Sequence, residues 1–541
     1  MKLHSAIAHA LGRAGVDTMF GVLGDANLFM VESFQRECSG RYIAASNEAG
    51  AVLMALGYAT VSNRVGVATT TYGPALTNTL TALVEGVKGK KPMLLLCGDT
   101  ASEPRGILQD IPQREHVIPT GAGFEQARSP QTAVADLMRA MRRAQLELRP
   151  IVYNIPINFQ WEEVEDTPTM IRVPDVRNWK PESADLDDAL GILFAASRPI
   201  VLAGRGAMSS EAKTALIRLA ARIDAPLATT LQAKGLFDSE PNNLGIFGTL
   251  STPPAVDAIA SSDCVIAFGA SLNKYTSSQG AFLRGKRVVQ VNLEPGMLGE
   301  HWEPTVGVAG DPAKVAEVML DYLEEAEAPR SGFFTPELAS TVASFSWQNE
   351  LPDRGTDTTI DVRRALAAID ASFPSDRVVI VDGGRFMTEP YKMINVATPG
   401  YFVFTSYSGS IGLGLSYAIG AAAAVPGTPA LLVTGDGGFM LGGLAEFNTA
   451  ARYGIDLTTI VCNDSAYGAE HIHFTDRQMD PTISEFAWPE FAPVADSLGG
   501  IGITVRNMGD LARAVEAFEH RTRPLLIDLK LDPYQMPDRP R

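Results

Sequence analysis

Along the first third of the chain, short apolar runs alternate with stretches in which apolar residues return every three or four positions, the periods of buried strands and amphipathic helices. Met1 to Leu11, with His4 and His9, reads as an amphipathic helix. Strands are expected at Thr18 to Val22, Tyr42 to Ala45, Val65 to Thr70, Pro92 to Cys97 and Pro150 to Ile155. Between them lie turns at Gly24-Asp25-Ala26-Asn27, Ser46-Asn47-Glu48 and Gly73-Pro74, each opening a helical stretch. Such alternation predicts a doubly wound, parallel α/β sheet whose working loops sit at the strand C-termini.

The same rhythm returns twice. A second α/β segment begins at Pro199 to Arg205-Gly206 and includes strands Cys264 to Phe268 and Arg287 to Asn292. Its Gly204-x-Gly206 fits a dinucleotide turn and a plain strand-to-helix turn about equally. A third segment runs from Asp361 to about Lys530. The stretches Glu163 to Glu182 and Glu324 to Thr358, rich in proline and charge, read as linkers. Three domains are therefore expected, at 1–165, 185–325 and 355–535. The first and third could be related by duplication, but no sequence repeat joins them.

Composition narrows the functions. The 541 residues are too many for one core. A net charge of −17 argues against nucleic acid and anionic membrane surfaces as partners. Cys38, Cys97, Cys264 and Cys462 lack metal-ligand spacing and suit a reducing compartment. The apolar run Ile411 to Val425 is too short to span a bilayer, and no leader pattern opens the chain. A cytoplasmic protein is expected.

The chemistry centres on the third segment. The apolar run Ala430 to Val433 breaks at Gly435-Asp436-Gly437-Gly438. A helical stretch reaches Tyr453, and the strand Leu457 to Cys462 ends at Asn463-Asp464-Ser465-Ala466-Tyr467-Gly468. In one βαβ unit both strand ends lie on the same sheet edge, so Asp436 and Asp464 can sit side by side. Exposed amides at a helix start suit phosphate, and hard oxygen ligands suit Mg2+ bridging to a diphosphate. Gly-Asp-Gly alone is a common turn; only the joined halves carry weight.

Joined, they resemble the motif of thiamine diphosphate enzymes, and the resemblance to the acetolactate synthase, pyruvate decarboxylase and benzoylformate decarboxylase superfamily covers nearly the whole chain. It implies three α/β domains: pyrimidine-binding, central and diphosphate-binding. It also implies thiamine diphosphate and Mg2+ as cofactors, with Asp436, Asp464 and the Ala466 carbonyl as metal ligands. Asn463 is the alternative to Asp464, because the spacing is one residue longer than in the decarboxylase branch, which Gly442-Gly443 can absorb. Glu48, in Ser46-Asn47-Glu48-Ala49-Gly50, matches the glutamate that assists ionisation at the cofactor's C2; by itself it would be a first-turn acid behind Asn47 as N-cap. Ile411 matches the residue wedged between the cofactor rings, and the Gly409 carbonyl the acceptor for its amino group. Gly384, Arg385, Phe386, Gly435, Gly437, Gly438 and Tyr467 fall at positions that line the cofactor.

The residues that would select the reaction point two ways. Gly24-Asp25-Ala26-Asn27-Leu28 matches the acid-bearing turn of pyruvate decarboxylase-like members, and Glu470 falls where they carry a second acid. Their tandem histidines are replaced by Ile107-Leu108-Gln109-Asp110, with Gln109 nearer to acetolactate synthases, and Thr71-Tyr72 replaces another family histidine. His471 and His473 stand beside Glu470 as candidate proton carriers, although lone histidines are more often packing residues. The resulting expectation is a non-oxidative 2-oxo acid decarboxylase with carboligase capacity, Asp25 and Glu470 handling protons and Gln109 touching substrate. Its rivals are an acetolactate synthase-like carboligase with FAD in the central domain, and an inactive scaffold subunit. Because Gly269-Ala270-Ser271-Leu272-Asn273-Lys274 departs from flavin-bearing relatives, no flavin is expected. The resemblance implies a homodimer or homotetramer with Glu48 and the metal site supplied by different subunits.

Overall fold

The computed structural model describes residues 1–101, 107–165, 183–350 and 352–535. Its strands form three six-stranded sheets whose recorded pairings are parallel, so the expected three α/β modules are present. Two compact units contain them. One is built on Met1–Val173, Asp353–Pro390 and Val403–Pro537 and carries the first and third sheets; the other is built on Pro174–Pro352 with Tyr391–Phe402 and carries the second.

The first sheet consists of β1 (Thr18–Gly21), β2 (Arg41–Ala44), β3 (Gly66–Thr70), β4 (Met93–Asp99), β5 (Gly123–Gln126) and β6 (Pro150–Pro156), in the order β2-β1-β3-β4-β6-β5. Every residue of β3 is buried, as a central parallel strand covered on both faces requires. Helix α1 (Glu48–Ser62) follows β2, its start fixed by the Asn47 side chain accepting from the Ala49 amide, and α2 (Leu80–Lys88) follows β3.

The third sheet consists of β13 (Val378–Val381), β14 (Phe402–Phe404), β15 (Ala430–Gly435), β16 (Leu457–Asn463), β17 (Ile501–Val505) and β18 (Leu525–Lys530). Its order, β14-β13-β15-β16-β18-β17, repeats the first strand for strand. Helix α3 (Gly414–Ala424) follows β14 and α4 (Leu444–Arg452) follows β15. Between β15 and α4 lies a π-helical turn at Phe439–Gly443, a wider turn than the α-helix makes. Helices α1 and α3 pack against each other at glycines: a Cβ on Gly57 would sit 2.1 Å from the Tyr417 carbonyl oxygen, and one on Gly420 1.8 Å from that of Met54.

The second sheet has the order β12-β11-β10-β7-β8-β9, built from β7 (Pro199–Ala203), β8 (Leu227–Thr229), β9 (Asn243–Ile246), β10 (Cys264–Phe268), β11 (Arg287–Asn292) and β12 (Val306–Ala309). At its switch point the Gly204-x-Gly206 turn is closed: the Gly204 amide donates to Phe268 O and the Gly206 amide to Gly269 O. Both of those amides are engaged by backbone carbonyls. The expected linker Glu324 to Thr358 instead contains a helix, Pro336–Ser344. Thr335 caps it and Pro336 occupies its first turn, where proline starts a helix rather than breaking one, and Phe333, Leu338 and Val342 pack on the domain's core. Most of the other expected linker, Glu163 to Glu182, lies outside the described residues.

Candidate active site

The edge at the C-terminal ends of β13 to β16 gathers the third sheet's candidate residues. Asp436 begins the short turn after β15, its Oδ1 accepting from the Gly437 amide at 2.7 Å and its Oδ2 from the Trp488 indole at 3.1 Å. Asp464, just past β16, accepts from the Ala466 amide at 3.2 Å. Both are buried, at 2% and 6% exposure, and the charge of Asp464 acts on Asp436. Burial, then that neighbouring charge, pushes the Asp436 carboxyl up from its ordinary range; burial also raises Asp464, opposed by Arg385. Two adjacent buried carboxyls are costly to ionise together, a cost that a divalent cation would relieve.

Asn463, the alternative ligand, faces elsewhere. Its amide donates to Asp528 at 2.8 Å and its carbonyl oxygen accepts from the Ser465 amide and hydroxyl. The turn is completed by Ser465 in a left-handed conformation, φ 55°, which brings Ala466 and Tyr467 beside the sheet edge. The Tyr467 ring lies over Gly437, where a Cβ would meet its Cε1 at 2.6 Å, and packs on Phe486, which stacks on Trp488. Gly409, at φ 82°, has open space around it, and Gly412 donates to Asp382. Phe386 is buried against Gly435, and Arg385 lies along Gly468 while donating to Pro533 O at 2.7 Å.

Two residues absent from the sequence expectations hold this edge together. Asp382, fully buried at the end of β13, accepts from the Gly383 and Gly412 amides and from the Thr405 and Thr434 hydroxyls, joining the loops after β13 and β14 to the end of β15. Burial pushes its carboxyl above the ordinary range even with these donors. Val381-Asp382-Gly383 is an acid between an apolar strand and a glycine, the signature that singled out Asp436, and could have been found the same way. Trp488 carries no such signal; only the folded chain brings it to Asp436.

Three thiamine pyrophosphate enzyme domain models match the sequence: the N-terminal TPP binding domain over residues 1–119, the central domain over 186–319 and the C-terminal TPP binding domain over 382–529. The chain belongs to the thiamine pyrophosphate enzyme family. Full-length relatives agree. A thiamine pyrophosphate-containing protein of Bacillus subtilis (strain 168), YdaP, is 25% identical over 97% of this chain and 91% of its own. An acetolactate synthase of Mycobacterium bovis is 25% identical, covering 97% and 87%. A sulfoacetaldehyde acetyltransferase of Rhodobacter capsulatus is 26% identical, covering 95% and 91%.

In this thiamine pyrophosphate enzyme the first sheet presents a second set of residues at its own C-terminal edge. Glu48, half-buried at the start of α1, accepts from the Asn78 side chain at 3.0 Å. Asp25 is exposed after β1, with Thr71 donating to it at 2.9 Å and Tyr72 at 3.3 Å. Thr71-Tyr72, noted only for lacking a histidine, thus orient the neighbouring acid. Gln109 lies with its backbone carbonyl against Gly73, and Gln113, unremarked in the sequence, bridges the Gly73 amide and the Gly98 carbonyl. The partners of Glu48 and Asp25 all belong to the first sheet's domain, whereas Asp436, Asp464 and Tyr467 belong to the third's. Glu470 is exposed on the first turn of α5 (Gly468–Asp476), and His473 is exposed beside Arg477. His471 is buried against Tyr534 and 3.4 Å from Glu485, a packing position.

The third sheet's edge suits the family's cofactor. Among the described residues no group of three or more His, Cys, Asp or Glu side chains could hold a metal alone. Two carboxylates with a carbonyl leave positions for phosphate oxygens, as Mg2+ prefers.

Proposed function

We propose that the protein is a thiamine diphosphate- and Mg2+-dependent enzyme that decarboxylates a 2-oxo acid without oxidation and can pass the product fragment to an aldehyde or ketone. Asp436, Asp464 and the Ala466 carbonyl would hold Mg2+, and Gly437, Gly438, Arg385 and Tyr467 would surround the diphosphate. Thiamine diphosphate, when bound, supplies a thiazolium that accepts the electrons left as carbon dioxide departs. Glu48 would hold a proton at the pyrimidine ring, Gly409 would orient the ring's amino group, and Ile411 would keep the rings folded together. The decarboxylase side of this reading rests on Asp25, oriented by Thr71 and Tyr72 where a proton can be delivered to the product. Glu470 would assist from α5, and Gln109 would contact substrate.

Glu48 would meet the metal edge from a second subunit, which makes a dimer or tetramer the working form. The engaged amides at Gly204 and Gly206 favour a central domain without flavin. The carboligase reading is supported by the acetolactate synthase among the full-length relatives and by Gln109 in a chain that lacks the tandem histidines. Purified enzyme supplied with thiamine diphosphate and Mg2+ should release carbon dioxide from at least one member of a panel of 2-oxo acids. Release that requires an acceptor aldehyde and yields only coupled product would favour the carboligase; no release from any member would sink the proposal.

A further inference from the structure

Two other carboxylates are more deeply buried than the assigned acid Glu48 and touch none of the groups assigned above. Glu85, in α2, has no exposed surface, yet both its oxygens are satisfied from the third sheet's domain. Its Oε1 accepts from the Tyr407 amide at 3.0 Å, and its Oε2 accepts from the Ser408 amide at 2.7 Å and the Ser408 hydroxyl at 2.6 Å. The Lys91 ammonium adds a contact 5.7 Å from the centre of the Tyr407 ring. Glu446, in α4 and 2% exposed, reaches the opposite way. It accepts from the Ser46 amide at 3.0 Å and the Asn47 amide at 3.2 Å, and from its own helix's Thr449 hydroxyl at 2.7 Å. Gly50 leaves room for it, since a Cβ there would sit 2.3 Å from Oε1.

The topology makes these two contacts equivalent. Each acid lies on the helix that follows the third strand of its sheet, and each grips the loop that follows the second strand of the other, in two sheets of identical strand order. The gripped loops are the ones that matter for chemistry: Ser46-Asn47 runs directly into Glu48, and Tyr407-Ser408 runs directly into Gly409 and Ile411. A buried carboxylate is retained only where donors offset a desolvation penalty of several kcal/mol. Here each acid takes two backbone amides of the opposite loop among its donors, so the grip fixes main-chain position.

We propose that Glu85 and Glu446 are a reciprocal pair of positioning residues, Glu85 fixing the loop that presents Gly409 and Ile411 to the cofactor and Glu446 fixing the loop that presents Glu48. The assignment rests on the thiamine diphosphate reading, which the wild-type protein tests first: failure to bind thiamine diphosphate with Mg2+ in calorimetry would remove that reading whatever the variants do. Given binding, Glu85→Gln presents an NH2 group to donors that need an acceptor. It should weaken cofactor affinity about tenfold or more, because the ring-folding loop shifts. Glu446→Gln should leave affinity within about threefold and slow hydrogen–deuterium exchange at C2 of the bound cofactor by about tenfold or more, because only the Glu48 loop shifts. A general structural role would move both readouts together in both variants, and that outcome overturns the proposal. Ser408→Ala removes one donor and keeps the two amides, so it should weaken affinity by a smaller factor and add little to Glu85→Gln. Should Glu85→Gln fail to fold, Ser408→Ala decides: weakened cofactor affinity with an unchanged thermal midpoint supports the positioning role, and unchanged affinity overturns it.

Discussion

Replacing Gly420 by alanine should destabilise the protein although alanine is the better helix former. In mid-helix the change by itself favours folding by about 1 kcal/mol. The new methyl carbon, however, would stand 1.8 Å from the Met54 carbonyl oxygen of α1, where an ordinary contact needs well over 3 Å. A backbone carbonyl cannot rotate away as a side chain does, so α1 and α3 must part by more than an ångström. That displacement loses a large share of the dispersion contacts along the crossing. Overpacking of this kind costs about 1–3 kcal/mol, and the rigid partner puts it at the upper end, for a net loss of about 1–2 kcal/mol. Gly57→Ala, which meets the Tyr417 carbonyl oxygen at 2.1 Å, should behave alike. Gly191→Ala is the control, since it lies in the helix Ala184–Phe194 with nothing within 4 Å of the added carbon. Differential scanning calorimetry of the cofactor-free proteins should place the Gly420→Ala transition about 1–3 °C below wild type, and the Gly191→Ala transition level or higher. A Gly420→Ala protein as stable as wild type would refute the close-crossing argument. Because α1 begins at Glu48, the same variant should also slow cofactor activation.

Chelation followed by gel filtration should leave an inactive protein that thiamine diphosphate and Mg2+ restore only together; full turnover without them would remove the metal-site assignment. Glu48→Gln should fold normally and slow C2 hydrogen–deuterium exchange by about 100-fold or more, and exchange at the wild-type rate would return Glu48 to a helix-start role. The Asp436 and Asp464 carboxyls are raised above their unfolded values, so the cofactor-free protein holds extra protons when folded and loses stability as pH rises above the ordinary carboxylate range. Asp436→Asn should therefore narrow the drop in thermal midpoint between about pH 5 and about pH 8 while abolishing the Mg2+ response; an unchanged slope would contradict the burial argument. Glu470→Gln and Asp25→Asn should each lower steady-state carbon dioxide release, and aldehyde formation unchanged in both would move proton delivery to other groups.

The strands, the helices that follow them and the residues at strand ends were legible because buried parallel strands are continuous apolar runs, and the loops after them carry glycine and acid together. Asp25, Glu48, Asp436 and Asp464 all announce themselves this way. Trp488 could not be read, because a donor from a remote loop leaves no local pattern. The hydrogen bond from the Asn463 side chain to Asp528, within β18, was equally hidden, because it joins two strands remote in sequence. Pro336 misled because proline marks both a linker and a helix's first turn, and only the packing of Leu338 and Val342 decides between them.

Glu85 and Glu446 explain why the likeness of the first and third domains was invisible in sequence but plain in topology. What the two sheets share is strand order and the placement of a buried acid after the third strand, and neither demands similar residues elsewhere. On the proposed reading the loops these acids grip do different work, one presenting a carboxyl and the other a carbonyl and an apolar wedge, so their sequences have no reason to match. The crossing of α1 on α3 shows the same logic: each helix contributes one glycine where the other's carbonyl approaches, Gly57 to Tyr417 and Gly420 to Met54. Symmetric packing of this kind asks for small residues and buried acceptors at equivalent places and leaves the active edges free to diverge.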